Sequence, residues 1–339
     1  MSKVKLGIIG LGRLGMRHAS NIHQRVDFAE LTAVCSVMQE ELDRAVEAFH
    51  PKYLTTDYQE LLEDKNLDGI VIASNSAFHA SMAIDALKAG VKNIYLEKPI
   101  GMTKQEIDDL KEAIDRYGVN IFQPGYNRRF DASYREMRDQ VTSGKIGKPI
   151  LVRFVNRDPV WDTDNLLRFS PTSGGLVLDM LTHDYDLSRW ILGSDAKSVY
   201  GIGENYGYEG LDEIGDIDNC MIAVEYENGV MGVFEASRNS VAGFDCETEV
   251  YGTEGSVRMG FPPSKNRVIS FTPDGLRIEC ADDFYDYFEP SFPAEIQHFA
   301  ECIRDNKKPI VNFEDGYKAV EWALLATEAV RNNEKLVFN

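Results

Sequence analysis

Two kinds of hydrophobic pattern divide this chain. In the first third, short uninterrupted apolar runs alternate with longer amphipathic segments, and the runs end near Ile9, Cys35, Ser74, Leu96 and Gln123. Uninterrupted apolar runs are typical of strands that are buried on both faces, and the amphipathic segments between them have helical spacing. This alternation predicts an α/β domain over residues 1–123, with a doubly wound parallel sheet.

From about residue 125 the pattern changes to shorter strands joined by turns. Asn228-Gly229 separates two predicted strands and indicates a hairpin with a type I′ turn, and Pro273-Asp274-Gly275 indicates a second turn before the end of the chain. A further strand is predicted over Arg267–Phe271, and helices are predicted near Ala294–Arg304 and Phe313–Asn332. We therefore expect residues 124–339 to form a second α/β domain with a large, open, mainly antiparallel sheet. Apolar residues on both faces of one strand suggest a contact with another subunit.

A glycine motif lies between the first predicted strand and the first predicted helix. Gly10 permits a tight turn, Gly12 lets backbone amides approach a pyrophosphate, and Gly15 lets the helix pack close to the strand. The helix start also offers unpaired N–H groups to an anion. A glycine-rich turn without a ligand is the alternative. We assign a dinucleotide to the whole loop, which consists of Gly10, Leu11, Gly12, Arg13, Leu14 and Gly15.

Composition restricts the partners and the compartment. The 339 residues include 36 Lys plus Arg and 55 Asp plus Glu, which gives a formal charge of −19. Such an acidic surface disfavours nucleic acid and anionic membranes. The five cysteines form no CxxC pair, as expected for reduced thiols in the cytoplasm. We expect no signal peptide and no membrane span, because no window approaches 18 consecutive apolar residues.

Several motifs together resemble the Gfo/Idh/MocA oxidoreductase family over nearly the whole chain. They are Gly10–His18, Glu97-Lys98-Pro99, Asn127-Arg128-Arg129-Phe130, and Ser173-Gly174-Gly175 followed by Asp179, His183 and Trp190. Within the family the chain most resembles inositol 2-dehydrogenases that act on myo- or scyllo-inositol. The resemblance implies a Rossmann domain joined to an open-faced α/β domain, and a homo-oligomer, a tetramer or a dimer, that assembles through the open sheet.

Three residues are the catalytic candidates. Asp179 and His183 are four apart in a predicted helix, so their side chains share one face, and a histidine near neutral pH suits removal of a hydroxyl proton. The resemblance makes His183 the acid/base, Asp179 its assistant, and Lys98 the group that stabilises the substrate oxygen. The alternatives are a surface His–Asp pair and a solvated loop lysine. Two ligands make a poor metal site, so we predict no metal.

The cofactor is expected to be NAD or NADP. An acid about 20 residues beyond the glycines would favour NAD, but Ser36 stands 21 residues after Gly15. The serine removes a charge that would repel a 2′-phosphate, whereas no lysine or arginine follows before Arg44, although Arg13 could reach a phosphate. We expect the phosphate to be tolerated. The resemblance adds a set of cofactor contacts, namely Ser36, Ser74, Asn75, His79, Glu97 and Lys98.

The resemblance also implies contacts to a sugar ring. These residues are Lys98, Asn127, Arg128, Asn156, Asp158, Asp179 and His183. Myo-inositol enzymes carry other residues where this chain has Asn156, Asp158, Ala242 and Phe244, so the isomer stays open. Trp161, in a loop expected over residues 160–172, could stack on the ring or anchor the loop.

The expected activity is hydride transfer between the nicotinamide and a secondary alcohol of a cyclic polyol, with an inositol favoured. One alternative is a dehydrogenase or reductase of a pyranose sugar or sugar derivative, for which the same residues would serve. The other is a non-catalytic dinucleotide-sensing regulator. Regulators of this kind typically lose the lysine or the histidine, whereas Lys98, Asp179 and His183 are all present here.

Overall fold

The computed structural model describes residues 3–266 and 268–338, which form two compact units. The first unit contains the described residues up to Phe130 together with Pro290–Val320, and the second contains Asp131–Glu289 and the described residues from Glu321 onward. The domain boundary expected after residue 123 therefore lies a few residues later. The segment Pro290–Val320, which we had expected in the second domain, belongs to the first unit.

The helices and strands are numbered in chain order. The strands are β1 (Val4–Ile9), β2 (Ala29–Cys35), β3 (Tyr53–Thr55), β4 (Gly69–Ile72), β5 (Asn93–Leu96), β6 (Ile121–Pro124), β7 (Pro149–Pro159), β8 (Ala196–Glu204), β9 (Asn219–Tyr226), β10 (Met231–Ser240), β11 (Asp245–Gly252), β12 (Ser256–Met259), β13 (Ile269–Thr272), β14 (Gly275–Ile278) and β15 (Leu336–Val337). The helices are α1 (Arg13–Gln24), α2 (Gln39–Phe49), α3 (Tyr58–Leu62), α4 (His79–Lys88), α5 (Lys104–Tyr117), α6 (Ala132–Thr142), α7 (Thr163–Ser173), α8 (Gly175–Leu192), α9 (Phe284–Tyr287), α10 (Ser291–Asp305) and α11 (Phe313–Asn332).

The first unit is built on a six-stranded sheet in the order β3-β2-β1-β4-β5-β6, and every neighbouring pair is parallel. The predicted doubly wound sheet is thus confirmed. The strand order reverses between β1 and β4, so the loops that follow these two strands face the crevice where open α/β sheets bind ligands. Gly10 follows β1 and Ser74 follows β4 at this edge.

Helix α10 belongs to the first unit because its apolar face is buried in the core of that unit. Ile296, Phe299 and Ala300 are fully buried in one core cluster with Leu6 and Ile8 of β1. Burial of the Phe299 side chain and burial of the Ile296 side chain each stabilise the folded state by about 1.5–3 kcal/mol. This apolar face of α10 therefore completes the core of the first unit.

The second unit is built on a seven-stranded sheet in the order β12-β11-β7-β10-β9-β8-β15. Its pairs are antiparallel except β7 with β10, which confirms the prediction of a mainly antiparallel sheet. Helix α8 packs on β7 and β10, where Phe154 and Phe234 stack with ring centroids 5.2 Å apart. Large apolar residues remain exposed on β7, β8, β9, β10 and β11, namely Ile150, Tyr200, Ile202, Met221, Met231 and Tyr251.

Three local predictions need correction or qualification. The β9–β10 turn is not type I′, because Gly229 has a φ of +83° while Asn228 is not in the positive-φ region, and the loop is a three-residue turn with a glycine bulge. Residues 163–173 form helix α7 rather than a loop, since Asp162 caps it by accepting a 3.0 Å hydrogen bond from the Asn165 amide. The strand predicted from Arg267 begins on a residue outside the described ones, and β13 starts at Ile269.

Among the described residues, no helix combines the length and the apolar character needed to cross a bilayer.

Candidate active site

The glycine loop after β1 has the shape that a dinucleotide requires. Gly10 has a φ of +91°, and a Cβ on it would lie 2.5 Å from the Ala73 carbonyl oxygen. A Cβ on Gly15 would lie 2.0 Å from the Gly10 carbonyl oxygen, whereas a Cβ on Gly12 would meet no atom within 4 Å. The first and third glycines are therefore needed for packing, and the second leaves open space.

That open space lies at the start of a helix. Helix α1 begins at Arg13 with Gly12 as its N-cap, and no side chain caps the first turn. Its first amide groups are thus available to the pyrophosphate of a dinucleotide. Leu11 is buried beneath the loop, Leu14 is half-buried and Arg13 is exposed. The residues of this loop fit a dinucleotide.

At the next strand, Ser36 follows β2 directly and is buried. Its hydroxyl donates a 2.5 Å hydrogen bond to Oε2 of Glu41, in the first turn of α2. Sequence reasoning noted the serine but missed this carboxylate, because their proximity depends on the turn between β2 and α2.

After β4, the predicted cofactor residues Ser74, Asn75 and His79 lie on one connection. The Asn75 side chain accepts from the Ala77 amide and caps a 3₁₀ turn, so it organises the loop. The His79 ring lies 3.1 Å from the Ser74 carbonyl oxygen and 2.8 Å from the Pro99 carbonyl oxygen. Burial lowers the pKa of His79, despite the two backbone acceptors. The histidine therefore braces the loop after β4 against the segment that carries Lys98.

The Lys98–Pro99 peptide bond is cis, and Glu97 holds the backbone in front of it. Glu97 is buried and accepts from Tyr95 Oη at 3.0 Å and from the Lys98 amide at 3.1 Å, and it lies 2.6 Å from His18 Nε2. Burial is the largest influence on Glu97 and opposes its ionisation, but His18, Tyr95 and His79 together lower the pKa of this carboxyl. Glu97, which the sequence predicts to contact the cofactor, interacts instead with protein groups and holds the Lys98 backbone in place.

A second buried carboxyl completes this cluster. Ligand atoms of His18, Glu97 and Glu295 all lie within 4.8 Å of one another, which makes them a possible metal-binding group. Burial first, and then the charge of Glu97, raise the pKa of Glu295 well above its usual range. Two carboxyl groups can lie together in this buried place because Glu295 is protonated while Glu97 is ionised. That the protein needs no metal remains a prediction.

The turn after β6 contains two of the predicted substrate residues. Asn127 and Arg128 lie in a buried 3₁₀ turn, Asn127–Phe130. The Asn127 amide donates a 2.8 Å hydrogen bond to Ser291 Oγ, at the start of α10. This bond ties the turn to the returning helix, so Asn127 has a structural role in the first unit. Arg128 is also buried.

In the second unit, α8 carries Asp179 and His183 on successive turns. Gly174 and Gly175, at the helix start, have φ values of +88° and +81°. A Cβ on Gly175 would lie 2.7 Å from Oδ1 of Asp216, which accepts the Leu176 amide. The two glycines thus allow the tight entry into α8. Asp179 and His183 are both partly exposed, and the helical spacing expected between them is present.

A buried arginine that sequence reasoning missed holds Asp179. The Arg238 side chain is fully buried, and its Nη2 donates to Asp179 Oδ2 at 3.0 Å. Its Nη1 lies 3.6 Å from Asp158 Oδ2, so one guanidinium joins two of the predicted site residues. Burial alone would lower the pKa of Arg238, but Asp179 and Asp158 raise it. One signal was present in the sequence, since Arg238 follows Phe234 and Ala236 on the buried face of β10.

The other predicted substrate residues of the second unit have supporting contacts. Asn156 on β7 is almost fully buried, and its amide donates to Asp184 Oδ2 at 3.0 Å and to the Met180 carbonyl oxygen at 3.3 Å. It therefore fastens α8 to β7 and has a positioning role. Asp158, two residues further along the same face, remains partly exposed.

Trp161 anchors the entrance to α7. Its ring is 5.2 Å from that of Phe169 and 5.4 Å from the Arg238 guanidinium carbon, and its backbone amide donates to Tyr208 Oη. Of the two roles left open by the sequence, the structure gives it that of an anchor that packs beside Arg238.

A glycine loop of this geometry, at the reversal point of a β3-β2-β1-β4-β5-β6 parallel sheet, defines a dinucleotide-binding domain. Comparison with known families identifies both units. Residues 4–126 match the model of the oxidoreductase family with an NAD-binding Rossmann fold, and residues 134–258 match that of the GFO/IDH/MocA C-terminal domain. The chain belongs to the Gfo/Idh/MocA family of oxidoreductases.

Three known proteins show how extensive the similarity is. The scyllo-inositol 2-dehydrogenase (NAD(+)) of Bacillus subtilis strain 168 is 33% identical over 330 residues, which cover 97% of this chain and 95% of that protein. The crystal structure of scyllo-inositol dehydrogenase from Lactobacillus casei, with bound NAD(H) and scyllo-inositol, has a TM-score of 0.93 and 34% identity, with 99% of each chain covered. Myo-inositol 2-dehydrogenase from Lactobacillus plantarum has a TM-score of 0.95 and 32% identity over the full length of both chains.

Proposed function

We propose that this protein is an inositol dehydrogenase, which transfers hydride between a nicotinamide and a secondary alcohol of an inositol ring. The observation that supports it most strongly is the combination of Lys98, Asp179 and His183 with full-length similarity to inositol 2-dehydrogenases. A dinucleotide-sensing regulator would not need a general base.

In this proposal His183 removes the proton of the reacting hydroxyl as its carbon loses hydride, and returns it in the reverse direction. Asp179 stabilises the charged imidazole, and Arg238 holds the Asp179 carboxylate in place. Lys98 donates a hydrogen bond to the substrate oxygen, while Glu97 fixes the backbone amide of Lys98. The nicotinamide, when bound, supplies the hydride acceptor.

The test is the absorbance of reduced nicotinamide with purified protein. Myo-inositol, scyllo-inositol and glucose are each offered with NAD and with NADP. Turnover of an inositol supports the proposal, turnover of glucose alone supports the pyranose alternative, and tight NADH binding without turnover supports the regulator. The variant H183A should lose about 10²–10⁴-fold in kcat while it still binds NADH. The exposed His23 supplies the matched control H23A, which should keep normal turnover.

We further propose that the protein forms a homo-oligomer through the open face of the β12-to-β15 sheet. In register, Met231 lies beside Leu151 and Glu225, and Met221 lies beside Glu235 and Ile202. Exposed apolar residues on adjacent strands form the kind of surface that subunit contacts bury. We also propose a cytoplasmic location, supported by five cysteines that are all free thiols.

Sedimentation at micromolar concentration tests the assembly. The double variant M221E/M231E adds two charges to the centre of the open face and should dissociate the oligomer. Its control, V46E, changes an exposed apolar residue on α2, outside this sheet, and should leave the mass unchanged. A wild-type monomer, or a double variant that sediments like the wild type, would contradict the proposed interface.

A further inference from the structure

We propose that Glu41 takes over the role of the missing acid at position 36, accepts the ribose hydroxyls of the adenosine half, and makes the protein select NAD over NADP. This inference rests on the proposed function, because it concerns the cofactor of that activity. It also revises the expectation from sequence that a 2′-phosphate is tolerated.

The first step is the position of the pair formed by Ser36 and Glu41. In a Rossmann domain the residue at the carboxyl end of the second strand reads the 2′ position of the ribose. Here β2 ends at Cys35, and Ser36 comes next with a relative exposure of 4%. Its hydroxyl accepts from the Met38 amide at 3.1 Å and donates to Glu41 Oε2 at 2.5 Å. A serine has a single hydroxyl proton, so Ser36 is committed to Glu41 as a donor.

The second step is the remaining capacity of the carboxylate. A carboxylate has about four acceptor positions on its two oxygens, and Ser36 uses one of them. Arg44, which is largely exposed, lies 4.0 Å from Oε1 of Glu41. The Glu41 side chain is 21% exposed. Ser36 thus holds the Glu41 carboxylate beside the end of β2, and this carboxylate has acceptor positions left for the two adjacent hydroxyls of a ribose.

The third step is the surroundings of the pair. Val37 and Met38 lie between Ser36 and α2 in the chain, and both have exposed apolar side chains. An apolar surface beside a diol acceptor suits an adenosine, which has a flat base attached to a ribose. The first turn of α2 contains Glu40 as well as Glu41. Of these two acids, Glu41 is the one held against Ser36, so its charge is the one that repels the 2′-phosphate of NADP.

Binding of the reduced cofactors tests the inference without any substrate. Dissociation constants of NADH and NADPH are measured by nicotinamide fluorescence or calorimetry, and the ratio of kcat/KM for NAD and NADP is added where turnover exists. The wild type should bind NADH at least about 10-fold more tightly than NADPH, since a hydrogen bond to a charged group is worth roughly 10- to 150-fold. E41Q should reduce this preference by about 10-fold or more.

The control variant is E40Q, which removes an exposed acid from the same helical turn and should leave the preference unchanged. Adding S36D to E41Q places an acid at the usual position and should restore the preference for NADH. Equal wild-type affinities for NADH and NADPH, or an E41Q preference equal to that of E40Q, would overturn the inference. If no polyol is oxidised, the proposed function fails, whereas the binding ratios still decide the role of Glu41.

Discussion

The buried Arg238 permits a quantitative test of the proposed site. Replacing it by methionine keeps an unbranched side chain beside Trp161 and removes the guanidinium from Asp179 and Asp158. In the wild type the arginine side chain is fully buried, while the Asp158 and Asp179 side chains keep 13% and 14% exposure. R238M thus leaves two nearly buried carboxylates without the cation that joins them.

Removal of one partner from a buried ion pair costs about 3–5 kcal/mol. Because both aspartates retain some access to water, we expect the lower part of this range, about 3 kcal/mol. Adding D158N to R238M removes one of the two uncompensated charges and should recover about 1–2 kcal/mol. Replacing both partners is therefore expected to cost less than replacing the arginine alone.

The assay is urea unfolding, followed by tryptophan fluorescence and by circular dichroism. R258M is the control, because Arg258 also pairs with an acid on the second sheet but is exposed, so its loss should shift the midpoint far less. An R238M protein as stable as the wild type would refute the reasoning. So would a D158N/R238M double variant that is less stable than R238M.

Three further predictions follow from single contacts. G15A should fail to fold stably because its Cβ would overlap a backbone oxygen, whereas G12A should fold but bind NADH weakly; thermal unfolding and NADH titration separate the two. The pKa of Glu295 is raised in the native state, so above the ordinary pKa of 4.5 the native protein keeps a proton that the unfolded chain releases. The free energy of unfolding of the wild type should therefore fall by up to about 1.4 kcal/mol per pH unit as the pH rises above 4.5. E295Q should flatten that fall in denaturant midpoints measured from pH 5 to 8, and an unchanged slope would count against it. N156A should cost about 1–3 kcal/mol in urea unfolding, because Asp184 loses a buried donor; a cost near zero would remove Asn156 from the support of α8.

Local features of the first unit were predictable because short windows of sequence contain them. The glycine motif lies within six residues, and the structure gives Gly10 and Gly15 the steric roles expected. Thr103 and Glu106, three residues apart at the start of α5, form a capping box with amide contacts of 3.1 Å and 3.2 Å. The parallel sheet followed from uninterrupted apolar runs, whereas its strand order is a finding of the structure.

Errors arose where one pattern permits two structures. Asn-Gly suits several hairpin turns, and only the backbone angles distinguish the bulged turn at Gly229 from type I′. The segment now assigned to α7 was expected to be part of a loop, and it contains Pro171, a residue that is unusual inside a helix. The apolar face of α10 could have completed the core of either unit.

The amino-acid sequence by itself determined most of the helices and strands and the dinucleotide loop, because each depends on neighbours within a few positions. Only the tertiary structure decided which charged and polar groups, far apart in the sequence, lie next to each other. Arg238 reaches Asp179 across 59 positions, Glu97 reaches His18 across 79, and Glu295 joins them from the far end of the chain. Such pairings are not written in any local spacing, since they form only when the topology brings buried polar groups together and burial makes a partner necessary.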